Sequence, residues 1–177
     1  MKHIDFDFWN DLLRYCPETG HFFWRVNIGR RVRGQRADVK CHKGYRKITW
    51  QRKGFLAHRM ALVLHTGQQP SEYVDHINGD RSDNRIANLR CATGTENQAN
   101  ARLRSCNTSG LKGVQTKVIG GEKRHYAFIK SKGQVIALGR YASPEEAHAA
   151  YCGAAKALFG DYAHNGIRPL LEIAKSA

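Results

Sequence analysis

A chain of 177 residues with 41% hydrophobic and 10% aromatic content can build one ordinary domain or two small ones, and it is too apolar for a disordered tail. Lysine and arginine number 29 against 15 acidic residues, a formal charge of +14 that asks for a polyanionic partner. No apolar run can span a bilayer and the cations do not gather on one amphipathic helix, so a membrane is set aside in favour of nucleic acid.

The five cysteines (Cys16, Cys41, Cys91, Cys106, Cys152) are odd in number and never form a C-x-x-C pair, which argues against a disulfide framework or a cysteine zinc site. The start, MKHIDFDFWND, lacks the apolar core of a signal peptide, so a reducing, intracellular (cytoplasmic) location is expected.

Three regions separate by composition. In the first, FDFWNDLLRY has helical spacing and is closed by a turn at Pro17 to Gly20. HFFWRV reads as a strand, and NIGRRVRGQRADVK as an irregular basic arm. GYRKITW and GFLAH form a hairpin that leads into the helix HRMALVLHTG, stopped by Gly67. The second region places a short strand at YVDHI, a turn-rich loop at NGDRSDN, a second strand at ANLRCAT, and a helix through ENQANARLR capped by Thr93 or Thr95.

The third region begins after a linker at Asn107 to Gly110. LKGVQTKV, RHYAFIK and QVIALGRYA read as three strands, with reversals at GEK and SKG. Ser143 caps a helix with Pro144 at its first position, and Ala147, Ala150, Ala154, Ala157 and Leu158 form a small-residue stripe suited to lying on the sheet. The expected fold class is α+β. The first two regions together span residues 1–106 with a core at 71–104, and a domain of three antiparallel strands and one helix spans 111–177.

The chemistry concentrates in the second region. Phosphodiester hydrolysis needs an activated water, charge stabilisation on the phosphate and help for the departing oxygen, and a divalent metal supplies the last two. Asp75 and His76 are adjacent at a strand end, so their side chains diverge to opposite sides. Asp75 can then face a metal while a neutral His76 acts as general base on water. Asn97, at the start of the next helix, offers a carbonyl as second ligand, and such oxygen donors suit Mg or Mn. Taken singly, an Asp-His pair is more often solvated surface and an Asn more often a helix cap; the joint pattern favours a site. His58 and Arg59 can approach the cleft and contact phosphate, or His58 can be structural. Asp80 and Asp83 are better explained by turn chemistry than by ligation.

VDHINGDRSDNRIANLRCATGTENQAN resembles the HNH endonuclease motif of phage and intron-encoded homing enzymes, in which a hairpin and a helix (the ββα-metal arrangement) clasp one ion. The resemblance implies that Asp75 and Asn97 ligate, that His76 is the base, and that Asn88 braces the loop. It extends from about Glu18 to Arg102, and it implies in-line attack on DNA leaving a 5′ phosphate.

Alternation along RHYAFIK puts His125, Ala127 and Ile129 on one face and Arg124, Tyr126, Phe128 and Lys130 on the other. Exposed aromatics among cations suit a DNA groove, with Gln115, Lys117 and Arg140 extending the face. SGLKGVQTKV, YAFI and LGRYASPEEAHAAYCGAAKALFGDYAHN resemble the Apetala-type domain of plant ethylene-response factors and phage homing endonucleases. That resemblance implies DNA contacts from Lys112, Gln115, Lys117, Phe128 and Lys130. The arm GRRVRGQR adds Arg30, Arg31, Arg33 and Arg36 for phosphate contacts that give affinity rather than sequence choice.

The sequence thus points to a metal-dependent endonuclease of double-stranded DNA, site-specific and of homing type. A monomer with one metal site suits nicking, whereas double-strand cleavage needs a dimer or a second event. The rival from another class is a non-enzymatic DNA-binding regulator, against which the presence of Asp75, His76 and Asn97 together weighs.

Overall fold

The computed structural model describes residues 3–101, 103 and 107–166. Short helices and several small antiparallel sheets make the protein α+β. The chain divides into two compact units, one ending at Thr93 and one beginning at Gly94.

In the first unit, Asp5 caps α1 (Phe6–Leu12) by accepting the Phe8 N–H. The helix stops earlier than the apolar spacing of FDFWNDLLRY predicts. Leu13 turns extended and opens β1 (Leu13–Cys16), which pairs with β2 (His21–Trp24) from Leu13 opposite Trp24 to Cys16 opposite His21. Burying Leu13 and Phe22 completely in one ladder wins over one more helical turn.

The basic arm also ends in structure. β3 (Asp38–Lys40) joins the edge of a sheet ordered β3, β4 (Arg46–Trp50), β5 (Lys53–Leu56). Gln51 and Arg52 form the two-residue β4–β5 turn, both with positive φ, as tight hairpins require. α2 (Ala57–Thr66) comes next and ends at Gly67 in the left-handed region, as the sequence led one to expect. Its face of Ala57, Met60, Ala61 and Val63 closes the core over Trp9, Phe22, Trp24 and Ile48. β6 (Tyr73–His76) and β7 (Leu89–Ala92) then pair, with Asp75 opposite Arg90 and His76 opposite Leu89.

The second unit opens with α3 (Gly94–Ala99), shorter than the expected run to Arg104, part of which lies outside the described residues. β8 (Val114–Ile119), β9 (Glu122–Ser131) and β10 (Gln134–Tyr141) form a meander ordered β10-β9-β8. α4 (Pro144–Phe159) packs across it, its start capped by the Ser143 hydroxyl accepting the Glu146 N–H. The buried stripe of α4 is Ala147, His148, Tyr151 and Ala155, while Leu158, expected on the sheet side, is exposed. Tyr151 sets this rotation. Gly113 (φ +75) lies flat against its ring, where any Cβ would meet the ring at 2.0 Å.

Asp38 is the ionic anchor of the first unit. Its buried carboxylate accepts the Phe22 N–H at 3.1 Å, Arg36 Nε at 3.1 Å and Arg36 Nη2 at 3.2 Å, and it is ion-paired with Arg46. Burial alone would raise its pKa, but the Arg36, Arg46 and Phe22 hydrogen bonds outweigh burial and hold it below the ordinary carboxylate range. Asp38→Ala should strand Arg46 in a half-buried position and cost roughly 2–4 kcal/mol, read as a lower midpoint in urea unfolding.

Candidate active site

β6 is a short strand, and its alternation sends its last two side chains apart. On one face the Asp75 carboxylate Oδ2 accepts Arg90 Nε at 3.0 Å from directly across the ladder. On the other face His76 is 4% exposed and its Nε2 lies 3.2 Å from Asn84 Oδ1. An amide oxygen can only accept, and Asn84 Nδ2 already donates to the Ser82 carbonyl at 3.3 Å. Nε2 therefore carries the proton, and the lone pair of the neutral ring sits on Nδ1. Burial pushes the His76 pKa below its ordinary value; the Asn84 hydrogen bond and the Asp75, Asp80 and Asp83 charges oppose the shift without cancelling it. A lowered pKa favours the neutral ring, the form that proton abstraction requires.

The loop between β6 and β7 is built from its own side chains. Asn88 spans it: Oδ1 accepts the Asn78 N–H at 3.0 Å and Nδ2 donates to the Asp83 carbonyl at 2.8 Å. Asp80 accepts from the Ser82 N–H and hydroxyl, and Asp83 pairs with Arg85. Both carboxylates serve the turn.

Asn84 is held from outside the loop. The Tyr15 hydroxyl donates to its carbonyl at 2.7 Å, and the Ile86 N–H donates to the Pro17 carbonyl at 3.0 Å. Gly20 (φ +71) lies against the Asn84–Arg85 peptide so closely that a Cβ would sit 2.5 Å from it. The turn between β1 and β2 is thus a socket for the residue that orients His76.

His58, from the first turn of α2, packs its ring edge-on against His76, with centroids 5.1 Å apart and planes at 71°. Tyr45 tilts over both rings at 5.2 and 6.1 Å, and the Arg81 guanidinium covers Tyr45 at 4.9 Å. Asn84, Tyr45 and Arg81 were not singled out by sequence reasoning. They come from two separate segments, the approach to β4 and the loop between β6 and β7, and nothing local marks them.

Arg59, expected at phosphate, instead donates to the Glu72 carbonyl at 2.8 Å and the Pro70 carbonyl at 3.4 Å, tying α2 to the approach of β6. In the arm, Arg31 lies over Trp24 and Trp50, 5.0 Å from each ring, and donates to the Thr49 carbonyl. Arg36 is committed to Asp38. Arg30 and Arg33 remain as exposed arm cations.

Asn97 lies in α3, half-buried, within the second unit. On the sheet of that unit, Tyr126, Phe128 and Lys130 share the face turned from α4, while His125, Ala127 and Ile129 are buried. Gln115 and Arg140 flank Tyr126 in register, and Lys117 Nζ stands 5.7 Å from the Tyr126 ring. Lys112 does not join this face. Its ammonium donates to three main-chain carbonyls, of Ala99, Ala101 and His164, and burial lowers its pKa to about 8.

Burial takes the His58 pKa from the ordinary 6.5 to about 3, with His76 and Arg59 adding to the shift. An unfolded chain protonates His58 across that window and the folded chain does not, so stability is full above about pH 6.5 and falls as the pH drops towards the folded value. The slope contributed is up to about 1.4 kcal/mol per pH unit. Urea unfolding at about pH 7 and about pH 5 should show this loss in the wild type and a smaller one in His58→Gln.

No curated protein and no solved structure matches the chain. Residues 55–99, which run from the end of β5 through the Asp75–His76 strand to the last residue of α3, match the model of the HNH endonuclease family.

Proposed function

We propose that the protein is a metal-dependent endonuclease of double-stranded DNA in which His76 is the general base and Asp75 and Asn97 hold a single divalent ion. The observation that carries this reading is the seating of His76: a buried imidazole whose Nε2 lies 3.2 Å from Asn84 Oδ1, to which it donates, beside a carboxylate on the opposite face of the same strand. The family match over residues 55–99 supports nuclease chemistry, and the matched range includes both Asp75 and Asn97.

The donor chemistry fits a hard ion. Asp75 brings a carboxylate and Asn97 a carboxamide, both oxygen donors, and two such groups suit Mg or Mn that keeps most of its water. When bound, the ion would supply charge stabilisation to the phosphate and the departing 3′ oxygen. The chain's own residues do the rest. His76 takes the proton of the attacking water on Nδ1, Asn84 fixes the ring by accepting from Nε2, and Asn88 braces the loop between β6 and β7.

Binding is assigned to two surfaces. The exposed arm cations Arg30 and Arg33 suit phosphate, and the sheet face of Gln115, Lys117, Tyr126, Phe128 and Lys130 suits a groove. The likeness of residues 108–165 to the Apetala-type domain supports a site-specific cutter of homing type.

Supercoiled plasmid incubated with Mg or Mn should be nicked by the wild type and left intact by His76→Ala; equal cutting by the two would overturn the mechanism. A wild type that binds DNA and never cuts would leave the regulator reading in its place. In binding titrations, Lys117→Ala and Lys130→Ala should each lower the slope of log affinity against log salt by about 1 if they contact phosphate.

A further inference from the structure

α3 is too short to hold itself. Six residues make fewer than two helical turns, and an isolated helix of that length does not persist in water. What fixes its C-terminal end is a basic side chain from the start of the next segment. Lys112 Nζ donates to the Ala99 carbonyl at 2.6 Å, the Ala101 carbonyl at 2.6 Å and the His164 carbonyl at 3.1 Å. Those bonds use all three ammonium protons, and Ala99 and Ala101 stand where a helix leaves its carbonyls unpaired and its dipole negative.

The lysine is itself seated from several sides. His148 Nδ1 lies 2.8 Å from the Lys112 carbonyl, which can only accept, so the ring donates to it. Gly113 fits flat against Tyr151, whose ring lies 6.0 Å from the ammonium. The His164 N–H also reaches the Ala99 carbonyl, at 3.4 Å. A residue built into the fold to this degree is a poor candidate for reaching a phosphate.

We propose that Lys112 is a positioning residue of the nuclease: by clamping the carbonyls at the end of α3 it fixes the helix on which Asn97 is presented to the metal. This rests on the reading of Asn97 as a ligand. The C-terminal domain then does more than bind DNA, because one of its lysines holds the last residue of the cutting motif in place.

The test uses the full chain with Lys112→Met and Lys112→Arg. Plasmid cleavage titrated with Mn should require about tenfold more metal for half-maximal rate in Lys112→Met, the usual scale for losing a residue that supports a ligand, with most of the loss restored by Lys112→Arg. Metal-free plasmid binding and its salt slope should stay at wild-type values. Overlapping Mn titrations would overturn the proposal, and so would a loss explained by weaker DNA binding with a salt slope lower by about 1. Hydrogen exchange separates this from the nuclease reading: the amides of residues 98–101 should exchange about tenfold faster in Lys112→Met whether or not the wild type cuts. Unchanged exchange there refutes the clamp, whereas lost protection in a chain that never cuts refutes the nuclease reading alone. Should Lys112→Met fail to unfold cooperatively, the milder Lys112→Gln is read in the same assays with the same outcomes.

Discussion

The side-chain amide of Asn84 is the point on which the first unit turns. It is 1% exposed, and a buried carboxamide without partners costs on the order of 1–3 kcal/mol, so its surroundings must satisfy it. They do so in a way that fixes everything nearby. Its oxygen faces His76, its nitrogen the Ser82 carbonyl, and its backbone is gripped by Tyr15 and the glycine turn of the first hairpin. An N-terminal hairpin that reads as ordinary scaffold therefore sets the tautomer of a candidate catalytic histidine far along the chain. The amide bonds make the orientation a property of the fold rather than of the ligand.

The positive charge divides into two populations. Arg31, Arg36, Arg46, Arg59, Arg90 and Lys112 are consumed by the fold, stacked on tryptophans, paired with Asp38 or Asp75, or turned onto main-chain carbonyls. Arg30, Arg33, Lys117 and Lys130 face solvent. The net charge of +14 is the same in either case, and composition cannot divide it. What separates the groups is whether an acceptor is waiting inside, which is a tertiary property.

Local signals were legible where a short pattern determines the geometry. Gly67 closes α2, Ser143 caps α4, and alternation along RHYAFIK sorts inward from outward residues. The divergence of Asp75 and His76 comes from their adjacency at a strand end. Competition between elements was not legible. Leu13 and Arg14 satisfy a helical period, yet the ladder with β2 takes them; Asp38 to Lys40 look like loop, yet an edge of β4 stands open to them. The surroundings of His76 were the least legible. Tyr45, His58, Arg81 and Asn84 meet there from three segments, and their types are common in turns and on helices alike.

Such a clamp also bears on how proteins of this plan can be recombined. The composition of the chain invites a cut at Asn107 to Gly110, where a linker separates the nuclease pattern from the three-stranded sheet. A chimera joined there would keep α3 and lose both Lys112 and His164, leaving the carbonyls of Ala99 and Ala101 with none of those donors. By its packing α3 travels with the C-terminal sheet and its helix, although by its chemistry it completes the motif begun at Asp75 and His76. Exchange of the three-stranded sheet would then have to carry Asn97 along, so the sheet and the last helix of the family-matched segment would be inherited as one piece.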